Sequence, residues 1–303
     1  MDVIILLFGF FLLIKGADYF VDGSSSFARL LNIPSIIIGL TIVAMGTSAP
    51  EAVVSIHASL NGYNDIAISN IIGSNIFNSL IVIGVCAFIS QLEIDPDIMK
   101  RDLLFQIVCA IVLSIMIFDG YLSKKEGLFF LVILCFYMAL MIFHSMQQRQ
   151  DKEMKEMSLL KSIIYLIIGL FALIIGGRKV VVYACIIAKK IGLSQNIIGL
   201  TVISVGTSLP ELVTSIVATR KKESGLALGN AVGSNIFNIV FILGMSSFLS
   251  PLTVSFESLL DSYIFIGISI LLYVFAKTGK RISRHEGLIF IIFYMIYLMY
   301  LFL

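Results

Sequence analysis

Apolar runs of roughly 20 residues, separated by short polar interruptions, recur almost from end to end of this chain. Ten are distinguishable, at about 3–20, 34–58, 66–88, 102–118, 127–145, 159–177, 194–218, 226–248, 258–276 and 286–303. Each is long enough to cross a bilayer as an α-helix. The pattern predicts an all-α polytopic membrane protein with ten transmembrane helices. The opening stretch, MDVIILLFGFFLLIKGADYF, has neither a basic leader nor a small-residue cleavage site, so it reads as the first span rather than a signal peptide. The polar stretch from Gln147 to Ser158 is short and mixed in sign, a connector without room for a soluble domain.

The polar residues inside the spans repeat. GTSAPE at 46–51 returns as GTSLPE at 206–211, IIGLT at 37–41 returns at 197–201, and GSNIFN at 73–78 returns at 233–238. The offset is 160 residues throughout, and it also relates Gly16 to Gly176, Ser55 to Ser215 and EGL at 126–128 to 286–288. A unit of five helices has been duplicated: residues 1–145 form the first copy, 146–158 the connector and 159–303 the second. An odd number of spans per unit forces the second copy to enter the membrane upside down, giving two inverted-topology five-helix repeats.

Composition and charge refine this picture. Only 13% of the 303 residues are charged and 59% are hydrophobic, with a mean hydropathy of +1.04. Soluble domains carry about 25% charged residues. The net charge of +2 points to no nucleic acid or other polyanionic partner, and no obligatory protein partner is evident. With the N-terminus outside, 14 Lys and Arg residues fall in cytoplasmic segments. The external side holds six: Lys124, Lys125, Arg178, Lys179, Lys189 and Lys190. That excess favours a multi-pass protein of the cell membrane with both termini outside. Cys86, Cys109, Cys135 and Cys185 lie singly in apolar segments, without disulfide or zinc spacing.

Of the 19 acidic residues, Glu51 and Glu211 are the ones deep inside predicted spans. Buried charges of this kind usually face a cavity or an ion pathway. Each glutamate follows a proline. Pro50 and Pro210 have no N–H for the carbonyls of Gly46 and Gly206, and the freed oxygens need another partner. Thr47, Ser48 and Ser55 lie on the helical face of Glu51, as Thr207, Ser208 and Ser215 do on that of Glu211. Ser74 and Asn78, then Ser234 and Asn238, form matching i, i+4 pairs. Singly, each proline or serine reads as a tolerated kink or packing residue, and Gly73 and Gly233 as close-packing positions. Duplicated in register around two acids, they read as an ion site. The set holds carboxylate, hydroxyl, amide and carbonyl oxygen, with no His or Cys. That suits Ca²⁺, Mg²⁺ or Na⁺, with Ca²⁺ the better divalent fit because it accepts many protein oxygens in loose geometry.

At these residues the chain resembles the cation/calcium exchanger superfamily, and within it the Na⁺/Ca²⁺ exchanger branch. The likeness spans essentially the whole chain, with alpha-repeat motifs at 37–78 and 197–238, and is similar to short prokaryotic exchangers. The resemblance implies a ten-helix fold with broken second, third, seventh and eighth helices around a central site. By the same resemblance, Glu51 and Glu211 bridge Ca²⁺ and share Na⁺, while Thr47, Thr207, Ser48, Ser208, Ser74 and Ser234 add oxygens. The carbonyls of Ala44 and Ser204 stand where the family uses backbone oxygen, and Asn78 and Asn238 line the middle. Potassium-dependent relatives carry aspartate at the position of Asn238, so asparagine argues against K⁺ co-transport. The H⁺/Ca²⁺ branch has asparagine where this chain has Thr47 and Thr207, which favours Na⁺ as counter-ion.

The function expected is secondary antiport of Na⁺ against Ca²⁺ by alternating access, K⁺-independent and electrogenic, without cofactor. H⁺/Ca²⁺ or other divalent exchange on the same fold is the alternative, and a cation channel a remoter one. An intramembrane hydrolase using the two glutamates as acid and base lacks a nucleophile and a substrate cleft, so no enzymatic activity is expected.

Overall fold

The computed structural model describes residues 1–94, 98–147, 157–191 and 204–301. In chain order the helices are α1 (Asp2–Leu30), α2 (Ser35–Thr47), α3 (Ala49–Leu60), α4 (Asn64–Ile89), α5 (Leu104–Met116), α6 (Lys124–Gln147) and α7 (Leu159–Lys190). They continue with α8 (Ser204–Thr207), α9 (Leu209–Arg220), α10 (Ser224–Leu249), α11 (Phe256–Gly279) and α12 (Arg284–Leu301). Among the described residues, seven helices are long and apolar enough to cross a membrane, and α2 with α3 makes an eighth span bent by 49°. The predicted span at 102–118 corresponds to α5 with the π-helical turn Ile98–Leu103 before it. That at 194–218 begins outside the described residues, as does the IIGLT motif at 197–201, and most of the 146–158 connector lies outside them too.

The helices sort by burial. In the most apolar window of α10, 94% of residues are buried, and in α4 78%, against 22–39% for α1, α6, α7, α11 and α12. The motif-bearing α4 and α10 are therefore central. The outer helices turn side chains such as Phe8, Phe129, Phe171 and Ile296 outward, as a lipid-facing surface requires.

The two halves meet by exchanging equivalent positions. Four two-residue strands, β1 (Leu92–Glu93), β2 (Tyr121–Leu122), β3 (Leu252–Thr253) and β4 (Arg281–Ile282), follow helix ends. Leu92 pairs with Ile282 and Leu122 with Leu252, both antiparallel, and adding 160 to the first-half residue of either pair gives the second-half residue of the other. The long helices α1 and α7 behave likewise. They run antiparallel, with Gly9 against Gly176 and Gly16 against Gly169. A Cβ on Gly169 would stand 2.5 Å from the Phe20 nitrogen, and one on Gly16 2.8 Å from that of Leu173. Backbone cannot retreat from such contacts, so bulk here costs about 1–3 kcal/mol or more. Gly169→Val is accordingly expected to lower the thermal unfolding midpoint by several degrees, measured by intrinsic fluorescence of the protein in detergent. Gly233 has the packing role expected of it, since a Cβ there would lie 2.6 Å from the Leu40 carbonyl oxygen.

The outermost helices are longer than the apolar pattern predicts: α1 has 29 residues and α7 has 32. Polar Asp18 and Asp22 end the apolar run, yet the helix continues because Lys221, in the turn after α9, reaches both. Its Nζ lies 2.7 Å from Asp22 Oδ1 and 3.4 Å from Asp18 Oδ1, and Arg29 pairs with Glu223 at 3.1 Å. At the 160-residue offset Asp18 corresponds to Arg178, a break in the repeat that goes with a second one, since Lys221 corresponds to Asn61. Acids are also buried beyond the two motif glutamates. Asp102 is held by both Arg101 Nε and Nη2 at 2.9 Å, and Asp261 sits near the start of α11.

Candidate ion-binding site

The site begins at two helix breaks of the same shape. Ser48 has φ −81° and ψ 8°, Ser208 φ −89° and ψ 8°, and each separates a short helix from one that opens with Ala49-Pro50 or Leu209-Pro210. Proline is tolerated in a first turn, where its missing N–H is not needed. The break places Glu51 and Glu211 in the first turns of α3 and α9, where free N–H groups and the helix dipole favour a carboxylate. Locally, S-x-x-E resembles a capping box. Neither serine caps its own helix, however. Each hydroxyl instead crosses to the other half, Ser48 Oγ donating to Glu211 Oε1 at 2.9 Å and Ser208 Oγ to Glu51 Oε1 at 3.0 Å.

Around this crossed pair the predicted residues assemble. Glu51 and Glu211 are both 1% exposed, and Thr47, Ser48, Ser208, Ser74 and Ser234 are buried as well. Ser74 Oγ lies 3.0 Å from Ser208 Oγ and 3.5 Å from Glu51 Oε1. Asn78 and Asn238 are buried on α4 and α10, each opening a π-helical turn, Asn78–Val82 and Asn238–Leu243. Such turns widen a helix locally and frequently accompany functional sites. The Ala44 carbonyl accepts the Ser48 N–H at 3.0 Å and, having a second lone pair, retains acceptor capacity. Ser204 opens α8 at the equivalent place.

The unpartnered atoms tell most about chemistry. Among the described residues Glu51 Oε2, Glu211 Oε2, Asn78 Oδ1, Asn238 Oδ1 and Ser234 Oγ are buried without a hydrogen-bond partner. Buried polar groups are nearly always satisfied, and leaving one without a partner costs about 1–3 kcal/mol, more if charged. The first four are acceptors only, from matching positions in the two halves. A shared shortage of donors is what a cation resolves.

Four asparagines escape the reading based on motif chemistry. Asn70 and Asn230 join the site through threonine, with Thr47 Oγ1 donating to Asn230 Oδ1 at 2.9 Å and Thr207 Oγ1 to Asn70 Oδ1 at 3.5 Å. Asn75 and Asn235 tie the centre, where Asn238 Nδ2 donates to Asn75 Oδ1 at 2.9 Å and Asn75 Nδ2 to the Asn235 carbonyl at 3.2 Å. A signal existed for the first pair: Asn70, Ser74 and Asn78 stand at i, i+4 and i+8, and the 160-residue offset reproduces all three.

Comparison with known proteins agrees with this architecture. The sodium/calcium exchanger MaX1 of Methanosarcina acetivorans is 34% identical over 99% of this chain and 98% of its own length. The inner membrane protein YrbG of Escherichia coli is 34% identical, covering 82% of this chain and 79% of itself. The structure of the sodium-calcium exchanger NCX_Mj soaked with 10 mM Na⁺ and 10 mM Sr²⁺ superposes with a TM-score of 0.88 at 34% identity, covering 97% of this chain and 96% of that one. The family model described as sodium/calcium exchanger protein matches residues 1–143 and 161–303. The chain is therefore a multi-pass membrane protein that belongs to the sodium/calcium exchanger family.

Proposed function

We propose that this protein is a secondary active antiporter that exchanges Na⁺ for Ca²⁺ by alternating access. The observation that carries the reading is the set of four buried acceptor oxygens, on Glu51, Glu211, Asn78 and Asn238, that lack donors. Glu51 and Glu211 bridge Ca²⁺ from opposite sides. Thr47, Thr207, Ser48, Ser208, Ser74 and Ser234 contribute hydroxyls, Ala44 and Ser204 carbonyls, and Asn78 and Asn238 amide oxygens. In this reading the chain forms ten transmembrane helices in two inverted five-helix repeats, 1–145 and 159–303, joined by a cytoplasmic connector at 146–158. Both termini lie outside.

Coupling follows from charge. Two ionised carboxylates in a low-dielectric site repel each other and are poorly solvated, so the empty site resists crossing between its two exposures. One Ca²⁺ neutralises them, as do two Na⁺. Both loads need the same oxygens and compete for them, so one must leave before the other enters. The neutral hydroxyls and amides can hold one further Na⁺, which makes exchange electrogenic, worth about 2.3 kcal/mol per net charge per 100 mV. Asn238 supplies no third carboxylate, and transport requires no K⁺. The antiparallel α1–α7 pair, lying peripherally against α2, α8 and α9, is the element that rocks.

The test is radiolabelled Ca²⁺ uptake into proteoliposomes loaded with Na⁺, with K⁺-loaded and proton-gradient controls. Uptake is expected only with internal Na⁺, unchanged by K⁺ and accelerated by a potential that draws net positive charge outward. Uptake driven equally well by protons would assign the protein to H⁺/Ca²⁺ exchange instead.

A further inference from the structure

We propose that Asn70 and Asn230 are positioning residues, which set the direction in which Thr207 and Thr47 present their hydroxyls to the cation. The inference rests on the ion site proposed above. It begins from a contrast among four asparagines: the Oδ1 atoms of Asn78 and Asn238 have no hydrogen-bond donor, whereas those of Asn70 and Asn230 each accept one from a threonine. The first pair presents oxygen to an ion. The second has its oxygen committed.

Asn230 is fully buried, and its Nδ2 donates to Ser215 Oγ at 2.9 Å and to the Glu211 carbonyl at 3.2 Å. Both amide hydrogens are thus spent on α9, so the carboxamide cannot turn over without losing two bonds. Its oxygen is held facing the other half, where it accepts from Thr47 Oγ1 at 2.9 Å. A hydroxyl has one proton and two lone pairs. With the proton given to Asn230, both lone pairs of Thr47 remain for a cation. The other acceptors for the same Oγ1 are the Ala44 carbonyl, at 3.4 Å, and the Glu211 carboxylate. Without Asn230 the hydroxyl proton would turn to one of them, rotating the lone pairs of one ligand and occupying an oxygen of another.

The other half repeats the device with a longer threonine bond. Asn70 Nδ2 donates to Ser55 Oγ at 2.9 Å, and its Oδ1 accepts from Thr207 at 3.5 Å. Asn230 therefore has the stronger effect. Because each threonine bond runs from one repeat to the other, it also registers a ligand of one half against the opposite half, Thr47 against Glu211 through Asn230 and Thr207 against Ser55 through Asn70.

A double-mutant cycle tests this, with Ca²⁺ affinity read by isothermal titration calorimetry on the full-length protein in nanodiscs. Thr47→Val and Asn230→Leu are each expected to weaken Ca²⁺ binding about five- to tenfold, the worth of one neutral hydrogen bond. The double variant should be no weaker than Thr47→Val alone, because Asn230 acts through that hydroxyl. Additive losses, or an Asn230→Leu variant with unchanged affinity and only a lower melting temperature, would overturn the positioning role while leaving the ion site standing. Absence of Ca²⁺ binding by the wild type would overturn the site and the inference together. Thr207→Val with Asn70→Leu provides the same cycle, with smaller effects, should Asn230→Leu not fold.

Discussion

Glu211→Gln is expected to abolish Ca²⁺ uptake into Na⁺-loaded proteoliposomes, by at least about a hundredfold, and Glu51→Gln to do the same. Removing one member of a buried, compensated charge set costs about 3–5 kcal/mol, which is two decades or more in affinity. In these variants a bound Ca²⁺ meets one carboxylate, and the load keeps a net positive charge while crossing. A single Na⁺ is then the neutral load. Na⁺–Na⁺ self-exchange should accordingly survive better than Ca²⁺ transport, a split that a misfolded protein would not produce. Stability supplies a second sign. In cation-free buffer the two carboxylates repel, so each Gln variant should melt no lower than the wild type, yet lose the rise in melting temperature that Ca²⁺ gives the wild type. The variants need not be equal: Ser208 and Ser74 both lie near Glu51 Oε1, whereas Ser48 is the hydroxyl that donates to Glu211. If either variant kept wild-type Ca²⁺ uptake, the two-carboxylate site would have to be abandoned.

Much of this site is legible in the sequence because duplication marks it. A single Ser74 or Asn78 in an apolar helix says little, but the same residue recurring 160 positions later, at the same distance from a glutamate, separates chemistry from packing. The breaks at Ser48 and Ser208 are legible for a local reason, since proline removes a specific hydrogen bond. The π-helical turns beginning at Asn78 and Asn238 are not legible. Composition carries no trace of their extra residue. The length of α1 was hidden differently. Asp18 and Asp22 look like the edge of a loop until Lys221, some 200 residues away, is brought alongside them. Ser48 shows the same limit, because its local pattern suits a helix cap and its partner is a glutamate in the opposite half.

Acidification is expected to suppress exchange steeply, and the steepness reports how many protons compete with Ca²⁺. The cation binds the ionised form of each carboxylate, so each proton displaced changes apparent affinity by about one decade per pH unit below the protonation range. The sign is fixed: affinity for Ca²⁺ falls as pH falls and levels off once both glutamates are ionised. Two protons also neutralise the site, as one Ca²⁺ or two Na⁺ do, so charge alone would let a protonated carrier cross. Ser48 and Ser208 already donate to Oε1 of Glu211 and Glu51, and a proton on either Oε2 would take a lone pair from the cation. In the reading proposed above, with Na⁺ as the coupling ion, acid inhibits Ca²⁺ uptake without creating proton-driven uptake. The measurement is initial-rate Ca²⁺ uptake at fixed internal Na⁺ from about pH 8 to about pH 5.5, a window reaching toward ordinary carboxyl values, repeated without Na⁺ under an imposed proton gradient. Rates flat across that range would remove the carboxylates from the binding step. Proton-driven uptake in the second experiment would mean that the paired glutamates accept H⁺ as a transported load, and Na⁺ would lose its place as the coupling ion.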